Sequence, residues 1–317
     1  MILEPLVSVI IPCYNVSLFV EKAVNSILIQ TYSNLEIWLI DDASEDDTLQ
    51  KITAVKDDRV NVEIFKNNTQ KIRAVNEVLK KVKGQLICFQ DADDFSQPDR
   101  IEQQVKLFHD SDQLGICFTN YRYESNKGKS FKIALTDDEL KDEFLNFGHK
   151  KYKSLSPTIC ASMMIRKEVL SKTGGYHPFF KGRVGEDIHL IYRILKEFRG
   201  ASIDKILYHV REREGSLTQM QFSGQNSKSA YSWQLLSKII FKDVKENIDL
   251  LSPININELR AFELLSCEEV LIEKVVQLGN MQLVYEKCTN YKLGKFVLFP
   301  FRLVLFFILK KITWQKY

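Results

Sequence analysis

Three carboxylates follow directly after a short apolar segment of the chain. Leu86–Phe89 has the composition of a buried strand, and Asp91, Asp93 and Asp94 come soon after it. In open α/β sheets, ligands bind at the carboxyl ends of the strands, where these side chains would lie. Gathered carboxylates repel one another unless a cation neutralises them, and Mg²⁺ and Mn²⁺ prefer such oxygen ligands. The residues alone leave a second interpretation open, which is a solvated acidic turn.

The elements around this turn alternate between strand and helix. Predicted strands cover 7–11, 35–40, 60–65 and 86–89, and predicted helices cover 18–30, 71–82 and a segment that ends at 55. This alternation predicts a mostly parallel sheet with right-handed crossovers. It loosens after Phe108, where a strand is expected at 116–123, a strand pair or a bend at 201–210, and helices at 136–148, 166–173 and 187–198.

The composition excludes several classes of protein. The 317 residues are 45% hydrophobic and 27% charged, with a net charge of +3. These values are typical of a globular chain and too weakly basic to indicate nucleic-acid binding. The six cysteines are scattered, so free thiols in a reducing compartment are expected. A strand is predicted within the first ten residues without a basic and apolar leader before it, which predicts a cytoplasmic protein.

Several motifs occur in the order and spacing of one known family. The sequence reads VSVIIPCYN at 7–15, DDAS at 41–44, DADD at 91–94, GGY at 174–176 and GED at 185–187, with an apolar helix at 190–195. Together they resemble the family 2 glycosyltransferases with the GT-A fold, over roughly residues 6–218. The resemblance implies an α/β protein in which a GT-A type, Rossmann-like, mostly parallel sheet is flanked by helices. The expected catalytic domain is 1–218, with its nucleotide-sugar half at about 1–110 and its acceptor half at about 111–218.

The resemblance implies a nucleotide-binding role for residues on two loops. In relatives, the residues matching Pro12, Tyr14 and Asn15 shape the pocket for the base and ribose, and the Tyr14 ring is available for stacking. Asp42 is expected to accept a hydrogen bond from the imide N–H of a uracil or thymine ring. A role in capping the following helix is the alternative for this carboxylate.

Lys71 and the acidic turn are expected to meet the donor diphosphate. Lys71 matches a lysine that lies near the nucleotide in relatives, although Gln70 replaces the glycine that usually precedes it. A solvated lysine at a helix start is the alternative. The resemblance implies that Asp93 is a direct ligand of Mn²⁺ or Mg²⁺. It places Asp91 at the ribose or at a metal-bound water, and Asp94 at the donor sugar.

A second acidic pair follows the glycine-rich turn 182–185. By the resemblance, Asp187 is the general base that removes a proton from the acceptor hydroxyl as that hydroxyl attacks the anomeric carbon. One such base and a direct displacement would invert the configuration of the sugar. Glu186 is expected to bind the acceptor or to support the base. The alternative is that both carboxylates only favour the dipole of the predicted helix.

One segment departs from the family pattern. Relatives often carry an arginine, then a histidine two residues on, then a serine; here Arg211 and Ser216 fit, whereas Arg213 occupies the histidine position. A histidine could ligate a metal or contact a phosphate, and an arginine could do only the second. We therefore expect Arg211 and Arg213 to neutralise the diphosphate from a closing loop.

The chain changes character after the expected catalytic domain. Residues 219–289 are predicted to be helical, and 290–317 are basic and rich in aromatic residues, with no acidic side chain. The apolar stretch 296–309 is too short for a membrane span of about 20 residues. Its aromatic residues and flanking cations favour a helix at the surface of an anionic membrane, at the inner face of the cell membrane. Packing on the protein's own core or on another subunit is the alternative, and the oligomeric state is left open.

These features predict an inverting, non-processive, metal-dependent glycosyltransferase that uses a nucleotide-diphosphate sugar, with UDP favoured. Processive relatives carry Gln-x-x-Arg-Trp, and no arginine precedes a tryptophan here. The expected acceptor is a saccharide on a lipid or a growing surface polysaccharide. Two alternatives are a nucleotidyltransferase, whose usual glycine-rich phosphate loop the segment 12–15 lacks, and an inactive sugar-nucleotide binding or scaffold protein.

Overall fold

A nine-stranded sheet forms the centre of the described chain, which covers residues 4–124, 130–131, 135–146, 160–211 and 227–255 of this computed structural model. The strands are β1 (Val7–Cys13), β2 (Leu35–Asp41), β3 (Val60–Ile64), β4 (Leu86–Phe89), β5 (Phe95–Ser96), β6 (Leu114–Glu124), β7 (Ser130–Phe131), β8 (Met164–Arg166) and β9 (Arg199–Arg211). Their order across the sheet is β3-β2-β1-β4-β8-β6-β9-β5, and β7 pairs with β6.

Helices connect and cover these strands. They are α1 (Val20–Leu28), α2 (Thr48–Thr53), α3 (Gln70–Leu79), α4 (Arg100–Asp110), α5 (Asp137–Leu145), α6 (Lys167–Thr173), α7 (Glu186–Glu197) and α8 (Ser227–Glu246), with short 3₁₀ turns at Cys160–Ser162, Pro178–Phe180 and Pro253–Asn255. None of the helices in the described ranges has both the length and the apolar character needed to cross a bilayer. The predicted α/β fold of the GT-A type is confirmed.

The first four strands form the parallel half of the sheet. β1 pairs in parallel with both β2 and β4, and β3 joins the free side of β2. β1, β2 and β4 are almost wholly buried, which explains why they read as continuous apolar runs rather than as alternating ones. β1 extends beyond the predicted 7–11 and includes Pro12. This proline lies beyond Ile10, the last residue of β1 that pairs with β4, so that β1 continues along β2 alone to Cys13.

In the second half of the sheet, both parallel and antiparallel strand pairs occur. β8 runs antiparallel to both β4 and β6, and β9 runs parallel to β6. The register between β6 and β9 shifts near Asn120, as it does at a β-bulge. β5 then pairs antiparallel with β9, joining Phe95 to His209 and Ser96 to Tyr208. As a result, the strand that follows the acidic turn is attached to a strand more than 100 residues later in the chain.

Two consequences of this topology position the functional residues. Because β1, β2 and β4 are parallel, the loops that follow them all emerge at one edge of the sheet. In addition, α8 packs against α5 and α7 and so supports the helix that carries the second acidic pair. Residues 290–317, expected to contact a membrane, lie outside the described residues.

Candidate active site

The acidic turn gathers its carboxylates at the carboxyl end of β4. A hydrogen bond of 3.2 Å from Asp94 N–H to Asp91 O closes the turn. One carboxylate oxygen each from Asp91, Asp93 and Asp94 lies within 4.8 Å of the others. Asp94 is only 4% exposed, and burial, together with the charges of Asp91 and Asp93, raises its pKa well above the usual range. Three converging hard oxygen ligands fit a divalent cation, which would relieve this repulsion.

Lys71 lies beside this turn. Its Nζ is 3.6 Å from Asp91 Oδ1. Burial opposes the charge of Lys71, but Asp91, Tyr176, Glu186 and Asp187 together outweigh this effect and raise the pKa of Lys71 well above its usual range. The ammonium group is therefore a fixed positive charge shared by the two acidic clusters.

The backbone before Lys71 adopts a conformation that suits glycine. Gln70 has φ of +68°, in the left-handed region that non-glycine residues rarely enter. This geometry fits the glycine that the resemblance leads us to expect at this position. In this chain Gln70 takes the same conformation at a steric cost.

Gln70→Gly should therefore stabilise the protein. We expect the free energy of unfolding to rise by about 1 kcal/mol, because glycine adopts this conformation without the cost of a left-handed side-chain residue. Urea denaturation would measure the change. Gln70→Ala is the matched control, since it shortens the side chain but keeps the unfavourable conformation. An equal gain in both variants would mean that the side chain, and not the backbone, is the source of the cost.

The Gly-Gly-Tyr motif is bound to α3 by one side chain. Asn76 Nδ2 donates to Tyr176 O at 2.7 Å, and Asn76 Oδ1 accepts from Tyr176 N–H at 2.9 Å. A β-carbon on Gly175 would lie 2.4 Å from Asn76 Oδ1, so only glycine fits there. This paired contact holds Tyr176 close to Lys71, which lies on the same helix as Asn76.

The second acidic pair begins α7, as the sequence predicts. Asp187 Oδ1 accepts a hydrogen bond from Ile188 N–H at 2.8 Å. Burial and the neighbouring Asp187 charge, offset in part by Lys71, raise the pKa of Glu186 to about 7. The pair follows Gly185, whose φ is +99°. A β-carbon added at this position would lie 2.7 Å from Leu236 Cδ2 of α8.

Asp91 of the acidic turn and Asp187 of the second acidic pair face one cavity. It is lined by Lys71, Asp91, Tyr176 and Asp187, together with Pro12, Phe89, Gln90, Cys160, Ala161 and Met163. Cys160 is a residue that the sequence did not indicate. Burial and the Asp187 carboxylate, to which the thiol hydrogen-bonds, raise the pKa of Cys160 and keep it protonated.

The loops expected to hold the nucleotide are joined to each other. Asn15 N–H donates to Ser44 Oγ at 3.2 Å, and Asn15 Oδ1 accepts from Glu45 N–H at 2.9 Å. Tyr14, beside them, is 44% exposed, so one face of its ring is accessible. Asp42 is buried, and its Oδ1 accepts from both the N–H and the hydroxyl of Thr69, at 2.7 and 2.8 Å.

Arg211 contacts the acidic turn through its backbone. Its N–H donates to Asp94 Oδ1 at 2.9 Å. Its guanidinium carbon lies 5.5 Å from the ring centroids of both Phe19 and Phe95. Arg213, the other residue expected at the diphosphate, lies outside the described residues.

The fold and this site define the class of protein. A parallel half-sheet joined to a half of mixed strands, with helices around it, is the fold of the GT-A glycosyltransferases. The mannosyltransferase PcManGT from Pyrobaculum calidifontis, whose structure was solved with GDP-Man and Mn²⁺, has this fold. The match covers 93% of this chain and 83% of the PcManGT chain, with a TM-score of 0.57 and a sequence identity of 16%.

Sequence similarity gives the family. The sequence model of glycosyl transferase family 2 matches residues 8–174, and the chain belongs to that family. EpsE of Bacillus subtilis (strain 168) is 30% identical over 232 residues, which are 69% of this chain and 77% of EpsE. The Escherichia coli enzyme WfaP, a UDP-Glc:α-D-GlcNAc-diphosphoundecaprenol β-1,3-glucosyltransferase, is 30% identical over 221 residues, which are 68% of this chain and 81% of WfaP. The prediction of a sugar-transferring enzyme that acts on nucleotide sugars is confirmed.

Proposed function

We propose that this enzyme transfers a sugar from a UDP-sugar to a hydroxyl of a saccharide acceptor, with inversion of configuration. The observation that carries the proposal is the single cavity lined by Lys71, Asp91 and Asp187. Lys71 and Asp91, one of the three carboxylates of the acidic turn, suit a leaving diphosphate and its cation. Asp187 is a carboxylate that can activate the acceptor.

The cation in this proposal is Mn²⁺ or Mg²⁺. Asp91, Asp93 and Asp94 provide hard oxygen ligands within 4.8 Å of one another, and Asp93 is proposed as the direct ligand. When bound, the ion supplies a Lewis acid that stabilises charge on the diphosphate. Asp91 would meet the ribose or a metal-bound water, and the burial of Asp94 favours a charge contribution over contact with the donor sugar.

The proposed step is a direct displacement at the anomeric carbon. The acceptor oxygen forms a bond to that carbon while the bond from the carbon to the diphosphate oxygen breaks. The hydroxyl proton passes to the Asp187 carboxylate, and the nucleoside diphosphate leaves with the bonding electron pair. Lys71 would place a positive charge next to this leaving group, aided by Arg211 and Arg213, and Glu186 would support the base or bind the acceptor.

The choice of base in the donor follows from Asp42. Both acceptor positions of Asp42 Oδ1 are occupied by Thr69, which leaves Oδ2 for a ligand. Uracil presents one imide N–H, which a single carboxylate oxygen can accept. Guanine presents two adjacent N–H groups and favours a carboxylate with both oxygens available. With Pro12, Tyr14 and Asn15 forming the rest of the pocket, we propose that UDP is the carrier.

The proposed acceptor is a saccharide on a lipid carrier or a growing surface polysaccharide. The relative WfaP is named for an acceptor of this kind, a saccharide on diphosphoundecaprenol. In this chain the basic, aromatic-rich residues 290–317 would hold the enzyme at the anionic inner face of the membrane, where such acceptors are present.

Nucleotide binding provides the test. Thermal stability would be measured with UDP, GDP and their sugars, each with Mn²⁺ and with EDTA. We expect UDP with Mn²⁺ to give the largest rise in Tm. Asp42→Asn should abolish the preference for UDP, because the amide can present a donor toward the imide N–H; Asp47→Asn, an exposed neighbour, is the control.

The stereochemistry of the product completes the test. Proton NMR of the freshly formed glycoside would show an anomeric configuration opposite to that of the donor sugar. Stronger stabilisation by GDP would contradict the assignment of the base. Retention of configuration would contradict a single-displacement role for Asp187.

A further inference from the structure

The acidic turn is held by a side chain from β9. Gln90 N–H donates to Ile10 O at 3.1 Å, beyond the last residue of β4. Asp91 N–H is the next donor along the chain, and it bonds to Tyr208 Oη at 3.1 Å. Tyr208 is fully buried. Its hydroxyl therefore replaces a neighbouring strand at the point where the turn begins.

A fully buried arginine sets the direction of the next hydrogen bonds. The Arg100 guanidinium has donors only, and its Nη1 lies 2.9 Å from Gln90 Oε1. The Gln90 amide must therefore turn its oxygen toward Arg100, and the Ser96 hydroxyl donates to the same oxygen at 2.6 Å. The NH₂ group of Gln90 then faces Tyr208 Oη, at 3.3 Å. The orientation of this amide follows from its partners.

The Tyr208 hydroxyl can also donate one hydrogen bond. Its oxygen accepts from Asp91 N–H and from the Gln90 amide, which occupies both lone pairs. The remaining proton is available to Asp94, which interacts with Tyr208 and whose carboxylate also accepts Arg211 N–H at 2.9 Å. β9 thus supplies an acceptor to one end of the acidic turn and two donors to the other.

We propose that Tyr208 is a positioning residue for the cation and diphosphate site. Its hydroxyl holds both ends of the acidic turn in the arrangement that brings the three carboxylates together. Arg100, acting through Gln90, fixes the direction of that hydroxyl. This inference rests on the proposed function, because the network would position Asp91, Asp93 and Asp94 to bind the proposed cation. Neither Tyr208 nor Arg100 is exposed to substrate, since both are fully buried.

Tyr208→Phe tests the role of the hydroxyl in the full-length protein. It removes one oxygen and keeps the buried ring. We expect the affinity for Mn²⁺ in the presence of UDP, measured from the electron paramagnetic resonance signal of free Mn²⁺, to fall by roughly 10- to 100-fold, the usual effect of losing a group that orients metal ligands. Tyr32→Phe is the matched control, because Tyr32 is also buried and donates to a backbone oxygen, that of Pro5.

Gln90→Glu tests the direction of the hydrogen bonds. The new carboxylate would still accept from Arg100 but would accept from Tyr208 as well, which draws the phenol proton away from Asp94. We expect a loss of Mn²⁺ affinity of similar size to that of Tyr208→Phe. The double variant should lose little more than either single variant, because both changes break the same network. Additive losses, or native Mn²⁺ affinity in Tyr208→Phe, would overturn the proposal.

Hydrogen exchange separates this inference from the proposed function. Asp91 N–H is protected by its bond to Tyr208, so its exchange should be faster in Tyr208→Phe and unchanged in Tyr32→Phe. If the native protein binds no Mn²⁺, the proposed metal is wrong, and faster exchange at Asp91 would still support the positioning of the turn. Unchanged exchange at Asp91 would overturn the role of Tyr208 whatever the metal result.

Discussion

Asp187→Asn is expected to bind the donor as the native enzyme does and to transfer sugar about 100-fold more slowly or worse. Asparagine keeps the shape of the side chain but has almost no affinity for a proton. Asp187 lines the same cavity as Lys71 and Asp91, and we therefore propose that it receives the acceptor's proton. Donor binding by calorimetry and transfer by product formation would be measured on the same preparation.

Glu186→Gln is the comparison that separates the two adjacent carboxylates. Because burial and Asp187 raise the pKa of Glu186 to about 7, this group gains its charge only as the pH rises through neutrality. Its replacement should flatten a pH dependence of transfer near pH 7 without abolishing transfer. A nearly native rate in Asp187→Asn, with a large loss in Glu186→Gln, would move the base to Glu186.

Asp93→Ala is expected to abolish the part of UDP binding that depends on a divalent metal. The carboxylates of Asp91, Asp93 and Asp94 converge, and removal of one ligand leaves two and lowers the local negative charge. Calorimetry with UDP would be carried out with Mn²⁺ and with EDTA. We expect the native enzyme to bind more tightly with Mn²⁺ and the variant to show little difference.

Asp58→Ala is the control for the change in net charge. Asp58 is exposed and lies just before β3, away from the edge that carries the acidic turn. The Asp58→Ala variant should retain the full effect of Mn²⁺ on UDP binding. If Asp93→Ala retains that effect as well, Asp93 is not the direct ligand, and Asp91 is the first alternative.

The local features of the site could be predicted from the sequence. An apolar strand that ends in carboxylates needs only neighbouring residues to be recognised, and the structure places Asp91, Asp93 and Asp94 together at the end of β4. The 3.6 Å contact between Lys71 and Asp91 was not predicted, because the resemblance placed each residue only near the donor nucleotide.

The contacts between distant segments could not be predicted in this way. Asn76 binds the backbone of Tyr176, 100 positions later, and nothing near either residue indicates the other. Tyr208 reaches Asp91 through the pairing of β5 with β9, which depends on a two-residue strand that has no periodic signal. For Arg211, the family pattern suggested a phosphate contact but gave no indication of the two phenylalanine rings that its side chain lies over.

The contact between Gly185 and Leu236 has an evolutionary consequence. Residue 185 requires glycine for two reasons, since its φ is +99° and an added β-carbon would lie 2.7 Å from the Leu236 side chain. The two positions are 51 apart in the chain and belong to regions that sequence patterns assign to different domains. Homologous chains should therefore keep glycine at position 185 and a residue no larger than leucine at position 236. The helix after residue 218 would then diverge no faster than the catalytic helix it supports.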